Sequence, residues 1–414
     1  MADPDLLVIG AGAAGIAAAR TARALGRSCL VLEARSRVGG RAVTDTATLG
    51  APFDLGASWL HAAERNPLVA LAQGPGVELV DSDAERQDRT FVGGRPATPG
   101  ELRAYDAAWR AFDAAVEARA GAGGPDVAVA DAAPRGGPWD ATVAHWQGPV
   151  IAAAELEAMS LHDFAANALH GANLLPRPGM GVLVERLAEG LPVRLSAPVR
   201  RLRWGGPGVE AEGPFGTVRA RAAVATLPTP LLLEGMRFDP PLPAAVREAA
   251  HGLPLGLLSK VGLRATGPDR FGLPAFAGLD QQVAPGEAML TTICWPFGHD
   301  HVIGFVGGAT AWTLEAEGPA ALVAFAMDEL AARLGNRVRQ GLDARTALVT
   351  RWGADPWSRG AYSHARVGAA GARAVLSRPL GPLHLAGEAC HPTLSGTVAG
   401  AWESGETAAR AALA

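Results

Sequence analysis

The chain has 414 residues, 49% of them apolar, and a formal net charge of −4. That length exceeds one small core and points to two well-buried domains, while the charge balance gives no electrostatic footprint for nucleic acid. Three cysteines (Cys29, Cys294, Cys390) are too few and too scattered for a disulfide framework or a metal site, so neither is expected. Met1–Asp5 lacks the basic start of a secretory signal and no run of 18 or more apolar residues occurs, so the expectation is a soluble, cytoplasmic protein without a membrane partner.

In chain order, Leu6–Ile9 reads as a short buried strand. Gly10, Gly12 and Gly15 follow in a G-x-G-x-x-G turn that includes Ala14, and an Ala-rich helix runs to about Leu25. Cys29–Leu32 is the next strand, ending at Glu33. With 52 glycines the bare pattern arises by chance about once per chain, so its weight lies in the strand, turn, helix, strand and acid around it. Gly10 permits the tight turn, Gly12 lets backbone approach a pyrophosphate, and Gly15 packs helix on strand. The helix N-terminus offers unpaired N–H groups to phosphate, and Glu33 accepts from ribose hydroxyls. Beyond it, Ala34-Arg35 leads to Gly39-Gly40-Arg41, a second turn able to fold over a phosphate or an isoalloxazine. A dehydrogenase that uses only NAD has no need of that turn.

Residues 73–176 read as Ala-rich and helical, with Gly/Pro loops at 121–125 and 134–138. Gly179–Leu187 reads as a helix; 193–195, 199–204, 209–212 and 218–225 read as strands, the last ending at Thr226-Leu227-Pro228. A strand through Lys260, another around 290–295 and an amphipathic helix over 320–334 follow. Lys260 is the only lysine, against 36 arginines, in the apolar run Leu255–Leu263. A position tolerating either cation would have drifted to Arg here, and a buried Lys loses its proton several units below its usual ~10.4. A strand-end lysine snorkelling to the surface is the bland alternative.

Several blocks then share one resemblance. Asp54-Leu-Gly56-Ala57-Ser58-Trp59-Leu-His61 is similar to the GASW-H block of polyamine-oxidase-type enzymes. Trp352-Gly-Ala-Asp-Pro-Trp357 through Tyr362 resembles the segment carrying their flavin-facing aromatics. Leu385-Ala-Gly387-Glu388, with Ser395-Gly-Thr397-Val398, resembles their carboxy-terminal flavin block. With the Gly39-Gly40 turn these blocks make the chain resemble the FAD-dependent amine oxidase family. Taken singly, the aromatics also fit as core residues, and Tyr362 as a donor to a buried carbonyl.

The resemblance implies an α/β fold. A Rossmann-like FAD domain, parallel sheet plus β-meander, comes from residues 1–72, 177–249 and 353–414. It interleaves with an α+β substrate domain on a mixed sheet from 73–176 and 250–352. It implies FAD held by the residues named from 10 to 59, by the main chain at Val199, by Leu227, and by Trp352, Trp357, Gly387, Glu388, Thr397 and Val398. Lys260 would reach flavin N5 through a water, the helix starting near Val398 would face N1 and O2, and Tyr362 would wall the amine channel. Thr397 stands where monoamine oxidases place a second cage tyrosine, and Ala361 where they place a flavin-linked Cys, so FAD should dissociate. His61 is either a ligand for a distal substrate amine or a turn residue; Asp163 and Glu64 are further possible partners for a second cation. The implied reaction takes a hydride from an amine α-carbon to flavin, gives an imine and then an aldehyde, and reduces dioxygen to peroxide. An L-amino-acid oxidase would need an arginine for the carboxylate, with Arg65 and Arg177 the candidates. A natural-product oxidase or dehydrogenase on the same fold stays open, and a non-catalytic flavoprotein is disfavoured by retention of Lys260. Residues 250–352 have no room or heptad pattern for the helical arm of histone demethylases, so no chromatin role is expected.

Overall fold

A computed structural model describes residues 3–167 and 169–414. Four consecutive buried apolar residues make Leu6–Ile9 the central strand of a five-stranded parallel sheet. Its order is Leu383–Leu385, Ala222–Ala225, Leu6–Ile9, Cys29–Leu32, Val193–Arg194, so three distant parts of the chain build one sheet. Leu6, Leu7 and Val8 are completely buried, each contributing about 1.5–3 kcal/mol of apolar burial. The helices Ala13–Ala24 and Val398–Leu413 meet along alanines, including Ala14, Ala18 and Ala409, which lets their backbones approach closely.

The expected strand 218–225 is two strands in two sheets. Gly216–Ala220 is an edge of a four-stranded layer with Val209–Gly213, Arg201–Arg203 and Arg237–Asp239, whereas Ala222–Ala225 joins the parallel sheet. Arg221, paired to Asp5 at 3.3 Å, marks the break. Val199 precedes its strand, which spans only Arg201–Arg203.

The second layer system is a seven-stranded mixed sheet in the order Leu342–Val349, Leu258–Ala265, His301–Gly307, Thr291–Cys294, Ala277–Gln281, Gln87–Val92, Arg95–Pro96. Side-chain alternation along Leu258–Ala265 decides where the lysine goes. Val261 and Leu263 pack into the core beneath the helix Pro319–Leu334, while Leu258 and Lys260 face the other way, beside Phe305. The helix Pro99–Gly121, started by a Thr98–Glu101 capping box, covers that second face with the shorter helices Asp140–His145 and Leu161–Ala166. Pro319–Leu334 is the longest helix within 250–352; no long arm is inserted there.

Candidate active site

One cavity of 1320 Å³ runs from the first βα turn to the face of the mixed sheet. Every residue expected to hold FAD or to act on the amine lines it except Gly15, whereas the charge candidates Glu64, Arg65 and Arg177 do not. Gly15 lies behind the turn, where a Cβ would come 1.8 Å from Gly10 O, so its place is helix–turn packing. The helix Ala13–Ala24 starts with no side-chain cap, which leaves its first N–H groups to the cavity. The Glu33 carboxylate is fixed by Ala11 N at 2.7 Å and Arg35 N at 2.8 Å, and the Arg35 guanidinium by both oxygens of Asp355. An uncapped helix start, an oriented acid and a dinucleotide-sized space fit a flavin dinucleotide along this wall. Trp352 is buried and donates to Leu55 O; Trp357 is 37% exposed and lies at the cavity rim.

Lys260 is 5% exposed and its Nζ donates to Asp54 O (2.9 Å), Gly56 O (2.5 Å) and Ser58 Oγ (2.7 Å). Three acceptors match the three N–H bonds of an ammonium. All three donors are met by protein acceptors, and Ser58 Oγ, accepting from Nζ, keeps its own proton. Burial pulls the Lys260 pKa down to about 8, opposed by the charge of Asp54. Burial likewise raises the Asp54 carboxyl, whose oxygens accept from Thr44, from Met180 N–H and, at 3.5 Å, from Gly181 N–H. The site needs glycine at 56: a Cβ there would lie 1.7 Å from Arg41 O. No local signal marked Asp54 or Phe305 as neighbours of Lys260, because both meet it only through sheet packing.

His61 stacks on Trp59 with ring centroids 6.2 Å apart, and its Nδ1 meets Asn173 Oδ1 at 2.7 Å. Asn173 in turn donates Nδ2 to Asp83 Oδ2 at 2.9 Å, which fixes the amide so that Nδ1 carries the imidazole proton. Burial lowers the His61 pKa, which favours the neutral ring; with Nδ1 protonated its Nε2 is an acceptor, and His61 lines the cavity. Nothing in the sequence linked His61 to Asn173, 112 residues away.

Tyr362 donates Oη to Ile151 O at 2.8 Å, and burial pushes its pKa up, so it stays a phenol. Ile151 belongs to the π-helical turn Trp146–Ala152, a second wall that sequence reading left inside a featureless Ala-rich region. Thr397 is used differently from a cage residue: its hydroxyl donates to Leu394 O and caps the helix Val398–Leu413 by accepting from Gly400 N. Glu388 is buried among Arg41, Ser363 and Gly396 N, and burial, which raises its pKa, is outweighed by those cations and donors, which hold it below the usual carboxylate range.

The candidates for a second charge are corrected. Asp163 is paired in bidentate fashion with Arg373 at 2.7 and 2.9 Å, and Glu64 is exposed and accepts from Ala172 N. Arg65 and Arg177 both lie outside the cavity lining, Arg65 against Thr393 O and Arg177 against Glu78, so neither supplies a carboxylate fork.

A dinucleotide turn, a confined cavity and a buried primary amine on its far wall define an oxidoreductase of the dinucleotide-binding type. The chain belongs to the flavin containing amine oxidoreductase family, which it matches over residues 13–124 and 136–413. It is 27% identical to human lysine-specific histone demethylase 2 over 97% of this chain and 52% of that protein, and 29% identical to polyamine oxidase 2 of Arabidopsis thaliana over 98% and 87%. The chain thus spans about half the length of the demethylase, and most of the polyamine oxidase. A putrescine oxidase bound to putrescine has the same fold at TM-score 0.80 and 23% identity, covering 99% of this chain and 98% of that one. Cyclohexylamine oxidase from Brevibacterium oxydans IH-35A superposes at TM-score 0.80 and 24% identity over 100% and 99%.

Proposed function

We propose that the protein is an FAD-dependent oxidase of primary or secondary amines, with polyamine-like amines first and FAD held non-covalently. The observation that carries this reading is the lone ε-amine, buried against Gly56 and Ser58 with its pKa near 8 on the cavity wall. The flavin supplies the two-electron chemistry, accepting hydride from the amine α-carbon and passing the electrons to dioxygen. The chain's own residues do the rest. The walls exclude water, so charges inside are weakly screened. His61 Nε2 accepts an N–H of the substrate, Tyr362 presents its ring to the substrate nitrogen, and Ser58 passes a proton between Lys260 and the cavity. The N-terminus of the helix Val398–Leu413 favours the negative charge of a reduced ring by about 0.3–1 kcal/mol.

Similarity to a polyamine oxidase and to a putrescine-bound fold supports a small amine as substrate. The test is anaerobic bleaching of the purified holoprotein with putrescine, spermidine, N-acetylspermidine, tyramine, leucine and a dimethyl-lysine peptide. Bleaching by one of the free amines, with peroxide on admitting air, is expected. Bleaching by leucine alone, or by the peptide alone, overturns the reading.

A further inference from the structure

Arg373 is 2% exposed and, among the described residues, is the most completely bonded charge that no catalytic step uses. All five guanidinium N–H bonds have acceptors. Nε and Nη2 go to the two oxygens of Asp163 at 2.7 and 2.9 Å; Nη1 goes to Ser363 Oγ (2.9 Å) and Ala389 O (3.4 Å), and Nη2 also to Ser363 O (3.5 Å). A buried fork of this kind fixes direction as well as charge, which lysine, with three donors on a flexible stem, cannot do.

What it fixes is the residue next to Tyr362. Ser363 Oγ accepts from Arg373 and donates to Glu388 Oε2 at 2.7 Å, while Ser363 N donates to Glu388 Oε1 at 3.1 Å. On the other side, Arg41 bridges Glu388 and Ala361 O, at 3.1 and 2.6 Å. Tyr362 therefore sits between two anchored residues, its carbonyl accepting from Gly256 N and its hydroxyl tied to Ile151 O. Asp163, 7% exposed, lies on the helix Leu161–Ala166, whose neighbours Phe164 and Asn167 line the substrate side of the cavity. One unbroken chain, Asp163–Arg373–Ser363–Glu388–Arg41, buried except at the partly exposed Arg41, thus runs from the substrate wall to the backbone on both sides of Tyr362.

We infer that Asp163 and Arg373 are positioning residues that set the Tyr362 ring in the cavity wall and couple it to the substrate-side helix. Both residues border the cavity, and in this role the pair acts through Ser363 and Glu388. The catalytic arm of the test rests on the amine-oxidising reading, but the structural arm does not.

Only two tyrosines occur, Tyr105 and Tyr362, so holoprotein labelled with 3-fluorotyrosine gives two fluorine resonances. Tyr105 bonds to Asp280 and stacks on Trp139, away from the chain of residues described above, and serves as the internal control. Tyr362→Phe assigns the lines. Arg373→Lys and Asp163→Asn are expected to shift or broaden the Tyr362 line and leave the Tyr105 line in place. Should either variant fail to fold, Ser363→Ala, which removes one small hydroxyl at the centre of the chain, must move the same line. An unmoved Tyr362 line in a folded variant overturns the inference. With an oxidised amine in hand, Arg373→Lys should raise KM about tenfold with a smaller change in kcat, and should add no further loss in a Tyr362→Ala background. Additive losses in that cycle would assign the pair to general stability and overturn the positioning role. If no amine is oxidised, the amine reading fails while the fluorine result still decides this one.

Discussion

Lys260 Nζ donates to Ser58 Oγ at 2.7 Å across 202 residues of chain, so the single lysine and the Gly56–Ser58 strip form one unit although they lie in different layers. The strip belongs to the cofactor side of the cavity and the lysine to the mixed sheet; their contact closes the cavity at the point where the two meet.

Lys260→Met keeps the length of the side chain and removes its donors. We expect FAD to stay bound and turnover or flavin reoxidation to slow by about a hundredfold, the lower range for loss of a positioned proton-transfer group. Stopped-flow reoxidation of the reduced variant measures this, and wild-type kinetics would remove Lys260 from the mechanism.

The same lysine makes stability depend on pH. Its folded pKa, about 8, lies below the 10.5 of the free side chain, so between those values the unfolded chain holds a proton the folded one has shed. Stability rises with pH through that window, and the contribution, on the order of 3 kcal/mol, is lost as pH falls through about 8. Melting curves from pH 7.5 to 10.5 should show the wild type gaining on Lys260→Met; parallel curves would contradict the burial argument.

Ser58→Ala deletes one of the three acceptors on the ammonium. The charged form loses stabilisation while the neutral amine does not, so the Lys260 pKa should fall further. The alkaline limb of the pH–rate profile is expected to move to lower pH, and an unmoved limb would separate Ser58 from the lysine's proton.

Ala361 lines the cavity with a methyl group where a sulfur link would have to form, its carbonyl accepting from Arg41 and its N–H donating to Gly256 O. Acid precipitation should therefore leave the yellow colour in the supernatant. Colour retained in the pellet would show a covalent bond from another residue.

Glu388→Gln keeps the shape and removes the charge that Arg41 faces. Losing one partner of a buried ion pair costs about 3 kcal/mol, and because Arg41 and Ser363 both lean on this carboxylate, weaker FAD retention should accompany the lower melting temperature. Flavin released on a desalting column reads the second effect.

The amino-acid sequence alone determined what depends on neighbours along the chain: the Leu6–Ile9 strand, the turn at Gly10–Gly15, Glu33 at the end of the second strand, and the helix begun at Thr397. Each is set by residues a few positions apart, through burial, turn chemistry or capping. The Asp54–His61 and Trp352–Tyr362 blocks were legible through their resemblance to the family, since each is a contiguous stretch of sequence. Only the tertiary structure decided which partners those residues meet. It split 218–225 between two sheets, tied His61 to Asn173, spent Asp163 on Arg373, and filled all three donors of Lys260. Contacts between residues 100 or 200 apart are chosen by sheet order and packing of distant faces, and local spacing carries no record of that choice.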